Sequence, residues 1–106
     1  MDLTRKKCVP CEGGAPPMSD TQACSLIPQV PGWELRGVAL ERRFKFKDFR
    51  ESMAFVNKVA DLAEAEGHHP DIRISWNRVT LTLSTHAVKG LSENDFILAA
   101  KINALT

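Results

Sequence analysis

The sequence predicts an α+β domain, a four-stranded antiparallel sheet with helices packed on one face. Three observations carry this expectation. Ile72, Ile74 and Trp76, and then Val79, Leu81 and Leu83, alternate with polar residues, which is the period of a hairpin of half-buried strands. Trp33, Leu35, then Ala39 or Leu40, Phe44 and Phe46 mark an earlier hairpin with Gly37 near its turn. Between the hairpins, Phe49, Met53, Val56, Ala60 and Ala63 recur at helical spacing, broadened by Phe55, Val59 and Leu62, so a long helix has an apolar face to lay across the sheet.

In order, residues 1–18 read as an extended N-terminal arm and 19–106 as a single domain. The arm holds Gly13-Gly14 and Pro16-Pro17 and little periodic apolar sequence. A short helix is predicted over Asp20 to Ile27, with Ser19 or Asp20 as N-cap and Pro28 as its stop. Arg42, Arg43 and Lys45 interleave with the apolar residues of the first hairpin, as expected of a strand with one solvated face. Asp48-Phe49-Arg50-Glu51 has a capping-box arrangement opening the long helix, and Gly67 supplies its stop. The second hairpin turn is expected at Asn77-Arg78, which pairs Trp76 with Val79 and His69 with His86. A closing helix is predicted from Ser92-Glu93-Asn94-Asp95 to about Asn103.

Composition narrows the function classes. The chain of 106 residues suits one domain with one core, and 14 basic against 13 acidic residues give no field that favours nucleic acid or an anionic membrane. No apolar run approaches the ~20 residues of a membrane span, and Met1-Asp2-Leu3-Thr4-Arg5-Lys6-Lys7 lacks the apolar core of a signal peptide, so a cytoplasmic location is expected. Cys8, Cys11 and Cys24 are an odd set in the first quarter of the chain, which fits a reducing compartment better than a disulfide framework. Cys8-Val9-Pro10-Cys11 has the spacing of a redox pair or half a zinc knuckle, with no second pair to complete a tetrahedral site.

The chemistry concentrates between Glu64 and Asp95, where all three histidines lie. Pro70 disfavours helix at His69, so His68 and His69 sit at a helix-to-strand junction. Imidazole gives and takes protons near neutral pH, and no Cys or Ser nucleophile motif stands beside these residues, which favours acid-base over covalent catalysis. A three-histidine zinc hydrolase is the alternative that the imidazole count alone permits. Asp95 could orient a histidine, while Ser92-x-x-Asp95 is also a helix-start pattern. Glu64, on the last helical turn, is read as a solvated residue outside the site.

The pattern Glu64-x3-His68-His69-Pro70-x5-Trp76-x9-His86-x8-Asp95, with Ser84-Thr85-His86 ahead of Gly90-Leu91-Ser92, resembles the pterin-4a-carbinolamine dehydratase family from about Trp33 to the C-terminus. The resemblance implies dehydration of a 4a-hydroxytetrahydropterin to the quinonoid dihydropterin, without metal or organic cofactor, recycling tetrahydropterin for an aromatic amino acid hydroxylase. It implies His68, His69, His86 and Asp95 as catalytic residues, with His68 and His86 as the acid-base pair and His69 orienting the substrate. Pro70, Ser84 and Thr85 would line the pterin site, and Trp76 would support its wall or the core beneath it. Ala87 and Val88 stand where family members often carry Glu and Cys, so Ala87 would contribute backbone contacts. A homodimer with a continuous sheet, or a homotetramer, is also implied. The alternative function is a pterin-binding or regulatory protein-interaction module, a dimerisation cofactor or a molybdopterin-related role, without turnover.

Overall fold

The computed structural model describes residues 3–6, 8, 17–85 and 88–106. Strands β1 (Glu34–Arg36), β2 (Ala39–Lys45), β3 (Asp71–Ser75) and β4 (Arg78–Leu83) form one antiparallel sheet in the order β1-β2-β4-β3. The two hairpins therefore join through β2 and β4, and β1 and β3 are the edges. Leu40 pairs with Leu83 and Phe44 with Val79, while Ile72 and Ile74 face Leu81 and Val79 from β3. Alternation puts these residues on one face of the sheet. Glu41, Arg43, Lys45, Arg73, Arg78, Thr80 and Thr82 occupy the other. The expected α+β architecture is present, with the helices over the apolar face.

The second hairpin departs from the expected register. Its turn is Trp76-Asn77, flanked by the pair Ser75 and Arg78, not Asn77-Arg78. Trp76 takes a positive φ of 53°, and Asn77 is held by the end of β2: its carbonyl accepts from Phe46 N–H at 2.7 Å and its side-chain amide donates to Phe46 O at 3.2 Å. Pairing to a third strand thus fixes the turn, which the symmetry of the apolar pattern could not do. The slide is two residues in register, so the same side chains still face the core. Continued outward, this register sets His69 against Ser84 instead of His86.

Helix α1 (Asp20–Leu26) begins at Ser19, whose hydroxyl accepts from Gln22 N–H at 3.2 Å. It ends at Leu26 with Ile27 as its C-cap, directly before Pro28 as expected, and the chain continues through Pro28 in a 3-10 turn at Ile27–Gln29, near whose start a missing N–H is tolerated. Helix α2 (Phe49–Glu66) is capped by Asp48, which accepts from Glu51 N–H at 2.9 Å, and it stops at Gly67 in the left-handed region. Its buried stripe is Ser52, Phe55, Val56, Val59 and Ala63, rotated from the expected one; Phe49 and Ala60 face solvent.

Helix α3 (Glu93–Asn103) is the centre of the core. Residues from Asn94 to Ala100, and Ile102, are buried, so this helix is enclosed on every side. Its last residue, Asn103, accepts from the Trp33 indole at 2.9 Å and from the Arg42 guanidinium, and donates to Pro31 O at 3.0 Å. Segments of the arm also lie on α3 and on the residues just before it. Leu3, in a 3-10 turn at Leu3–Arg5, is buried in the same core, and Met18 N–H donates to Leu91 O at 2.7 Å. Among the described residues no helix is long and apolar enough to cross a membrane.

Candidate active site

The site begins where α2 ends. Gly67 (φ 67°, ψ 25°) turns the chain off the helix, and the Gly67 and His68 N–H groups both bond to Ala63 O. Pro70 then commits the chain to β3, and the junction expected from the sequence is present. It turns His68 inward, with 12% of its side chain exposed, and leaves His69 on the surface.

His68 meets Asp95, which is fully buried on the first turn of α3. Their Nε2 and Oδ1 atoms are 2.6 Å apart. The other carboxylate oxygen, Oδ2, accepts from Thr85 Oγ1 at 2.9 Å and from Ser92 N–H at 2.9 Å. Thr85 Oγ1 is also 2.7 Å from Ser92 Oγ. A hydroxyl has one hydrogen to give, and that of Thr85 goes to Asp95, so Ser92 donates to Thr85. Buried charge is stable only when its lone pairs are met, and this chain of donors meets those of Asp95.

This arrangement has a chemical consequence. A carboxylate at Nε2 holds the ring in the tautomer that carries hydrogen there, and leaves Nδ1 as the basic position. Asp95 is therefore both the helix-start residue and the orienting acid that the sequence left as alternatives. Thr85 is 6% exposed and gives its hydroxyl hydrogen to Asp95, so its side chain supports that carboxylate. Thr85 also anchors the following loop: its N–H donates to Gly90 O at 2.7 Å, and its carbonyl accepts from Val88 and Gly90. Ser84, just past the end of β4, and Pro70, just before β3, are both half-buried.

The other expected residues lie elsewhere. His69 Nε2 is 2.5 Å from Glu64 Oε2, both side chains being mostly exposed. Glu64 thus pairs with a histidine of the expected site; the signal was its place one helical turn before the junction. Trp76 is not part of the core. It sits in the hairpin turn, 65% exposed, at the end of β3 opposite His69, roughly 20 Å along the strand. The longer apolar alternation that included it ends one residue earlier, at Ser75. His86 and Ala87 lie outside the described residues. Among the described residues no three His, Cys, Asp or Glu side chains converge as a metal site.

Comparison with known proteins places this geometry in a lineage. The family described as Pterin 4 alpha carbinolamine dehydratase matches residues 16–105. A protein of Methylococcus capsulatus, provisionally named pterin-4-alpha-carbinolamine dehydratase, is 50% identical over 97% of this chain and 92% of its own length. One of Halorhodospira halophila with the same provisional name is 50% identical over 99% of this chain and 98% of its own. The crystal structure of a transcriptional coactivator/pterin dehydratase from Brucella melitensis superposes with a TM-score of 0.79 at 35% identity, covering 84% of this chain and 97% of that one. A pterin dehydratase-like protein identified as a RuBisCO assembly factor in the alpha-carboxysome gives a TM-score of 0.62 at 29% identity over 73% and 92% of the two chains. With the family match, near-complete relatives and the fold in agreement, the chain belongs to the pterin-4-alpha-carbinolamine dehydratase family.

Proposed function

We propose that the protein removes water from a 4a-hydroxytetrahydropterin by histidine acid-base catalysis. The observation that carries this reading is a largely buried His68 whose Nε2 is held by the fully buried Asp95. One imidazolium protonates the 4a-hydroxyl as the C4a–O bond breaks and water leaves. A neutral imidazole accepts the N5 proton, the N5–H electron pair forms the C4a=N5 bond, and the product is the quinonoid dihydropterin. His68 and His86 are the pair assigned to these two transfers. His69, exposed and partnered by Glu64, is free to orient the substrate, and Pro70 and Ser84 offer edges beside it.

The test is background-corrected dehydration in metal-free buffer by wild type, His68→Ala, His86→Ala and Asp95→Asn. Folded His68→Ala and His86→Ala proteins are expected to lose ~10²–10⁴-fold in kcat, the range of a general acid or base. Asp95→Asn is expected to lose a comparable factor, because an amide at that position no longer selects the tautomer. No acceleration by folded wild type would sink the dehydratase reading.

A second reading, a binding role without turnover, draws support from the transcriptional coactivator/pterin dehydratase and the RuBisCO assembly factor among the similar structures. Exposed apolar residues favour association of some kind: Ile72 and Ile74 on the edge strand β3, Trp76 at its turn, and Phe49 beside a shallow surface cavity with Met53 and Ala54. A homodimer or homotetramer through these surfaces, a cytoplasmic setting suited to the free thiols Cys8 and Cys24, and service to an aromatic amino acid hydroxylase or a molybdopterin route complete the proposal.

A further inference from the structure

Glu66 stands at a crossing of three segments. It is the last residue of α2, two positions before His68, and its side chain is 10% exposed. Oε1 accepts from the backbone N–H of Cys8 on the arm at 2.9 Å, and Oε2 accepts from Lys101 Nζ on α3 at 2.9 Å. The arm grips α3 independently: Lys6 Nζ is 2.6 Å from Glu93 Oε1, Cys8 Sγ is 3.6 Å from Asn94 O, and Leu3 is buried in the core. Glu93 and Asn94 immediately precede Asp95. The same few residues therefore tie the end of α2 that aims His68 to the start of α3 that aims Asp95.

We propose that Glu66 is a positioning residue, and that the N-terminal arm acts through it as a strap which holds His68 against Asp95. The physical need is plain. His68 follows a left-handed glycine at a helix end, where backbone freedom is greatest, and helix ends fray unless tied. A 2.6 Å contact between His68 and Asp95 tolerates little drift, and loss of alignment lowers the rate without removing any group that touches substrate. The catalytic part of the inference rests on the dehydratase reading; the strap itself does not.

Two readouts separate these parts. The first is the kcat and KM of dehydration. The second is the proton resonance of His68 Nε2–H, shifted downfield by Asp95, with the Trp33 indole N–H bonded to Asn103 as a fold control far along α3. Glu66→Ala and Lys101→Met are expected to lower kcat about tenfold with KM within twofold, and to weaken or broaden the His68 signal while that of Trp33 persists. Lys101→Arg should restore most of both. Cys8→Pro removes the N–H donor and should act like Glu66→Ala, whereas Cys8→Ala keeps it and should act like wild type. An unchanged His68 resonance in folded Glu66→Ala and Cys8→Pro overturns the strap. If wild type proves inactive, the dehydratase reading falls while the resonance still decides the strap.

Discussion

At the scale of single residues, position within a hydrogen-bond chain decides role more than residue type does. Thr85 and Ser84 are adjacent hydroxyls before His86, yet one is buried behind Asp95 and the other faces outward in part. The same distinction separates the cysteines. Burial foremost, and then the carboxylate of Glu66, push the Cys8 thiol up to about 12, which disfavours the thiolate of the first cysteine of the Cys8-x-x-Cys11 pair. Brief iodoacetamide treatment of the native protein at pH 8, with sites mapped by mass spectrometry, is expected to modify exposed Cys24 and spare Cys8. Rapid labelling of Cys8 would show that the arm leaves its seat.

At the scale of elements, the α2-to-β3 junction gathers the most candidate site residues in the fewest positions. A Cβ on Gly67 would meet nothing within 4 Å, so a substitution there changes backbone strain alone. Gly67→Ala is expected to destabilise by roughly 1–2 kcal/mol, the strain of a left-handed L-residue, and Gly67→Asn by less, read from denaturant midpoints at constant m-value. Equal effects of the two would mean that strain at φ 67° is not what the glycine relieves. The hairpin that follows teaches a related lesson. Its alternation fixed which face is apolar, but Asn77, gripped by Phe46 just past the end of β2, fixed where it turns.

At the scale of the molecule, α3 joins everything, through Asp95 and the arm at one end and Asn103 at the other. Arg42 lies on the apolar face between Leu40 and Phe44, and burial lowers its pKa; Asn103 accepts from it and the Phe44 ring lies 4.4 Å below its guanidinium carbon. Glu66 is the corresponding tie near the site. Hydrogen bonds from Cys8 and Lys101 hold its carboxyl below its ordinary value of 4.5. A depressed folded pKa means that its contribution is complete above about pH 4.5 and is lost as pH falls through the lower, folded value. The stability gap between wild type and Glu66→Gln, measured by urea unfolding, should therefore be widest near neutrality and narrow on acidification below pH 4.5. A gap independent of pH would show that the charge of Glu66 contributes nothing.

The sequence by itself determined the fold class, the order of the elements and the junction that presents His68 and His69. Those features follow from short-range rules: periods of two and 3.6 residues, an Asp cap, a glycine stop and a proline that excludes helix. Spacing around the histidines also pointed to the family. Only the tertiary structure decided that His68 faces Asp95 while His69 faces Glu64, that Thr85 supports the acid, that Trp76 lies at the far turn, and that Glu66 receives the arm. Those outcomes depend on groups 5 to 58 positions apart meeting at hydrogen-bond distance. Such meetings are set by strand register and by the seating of α3, which no local pattern encodes.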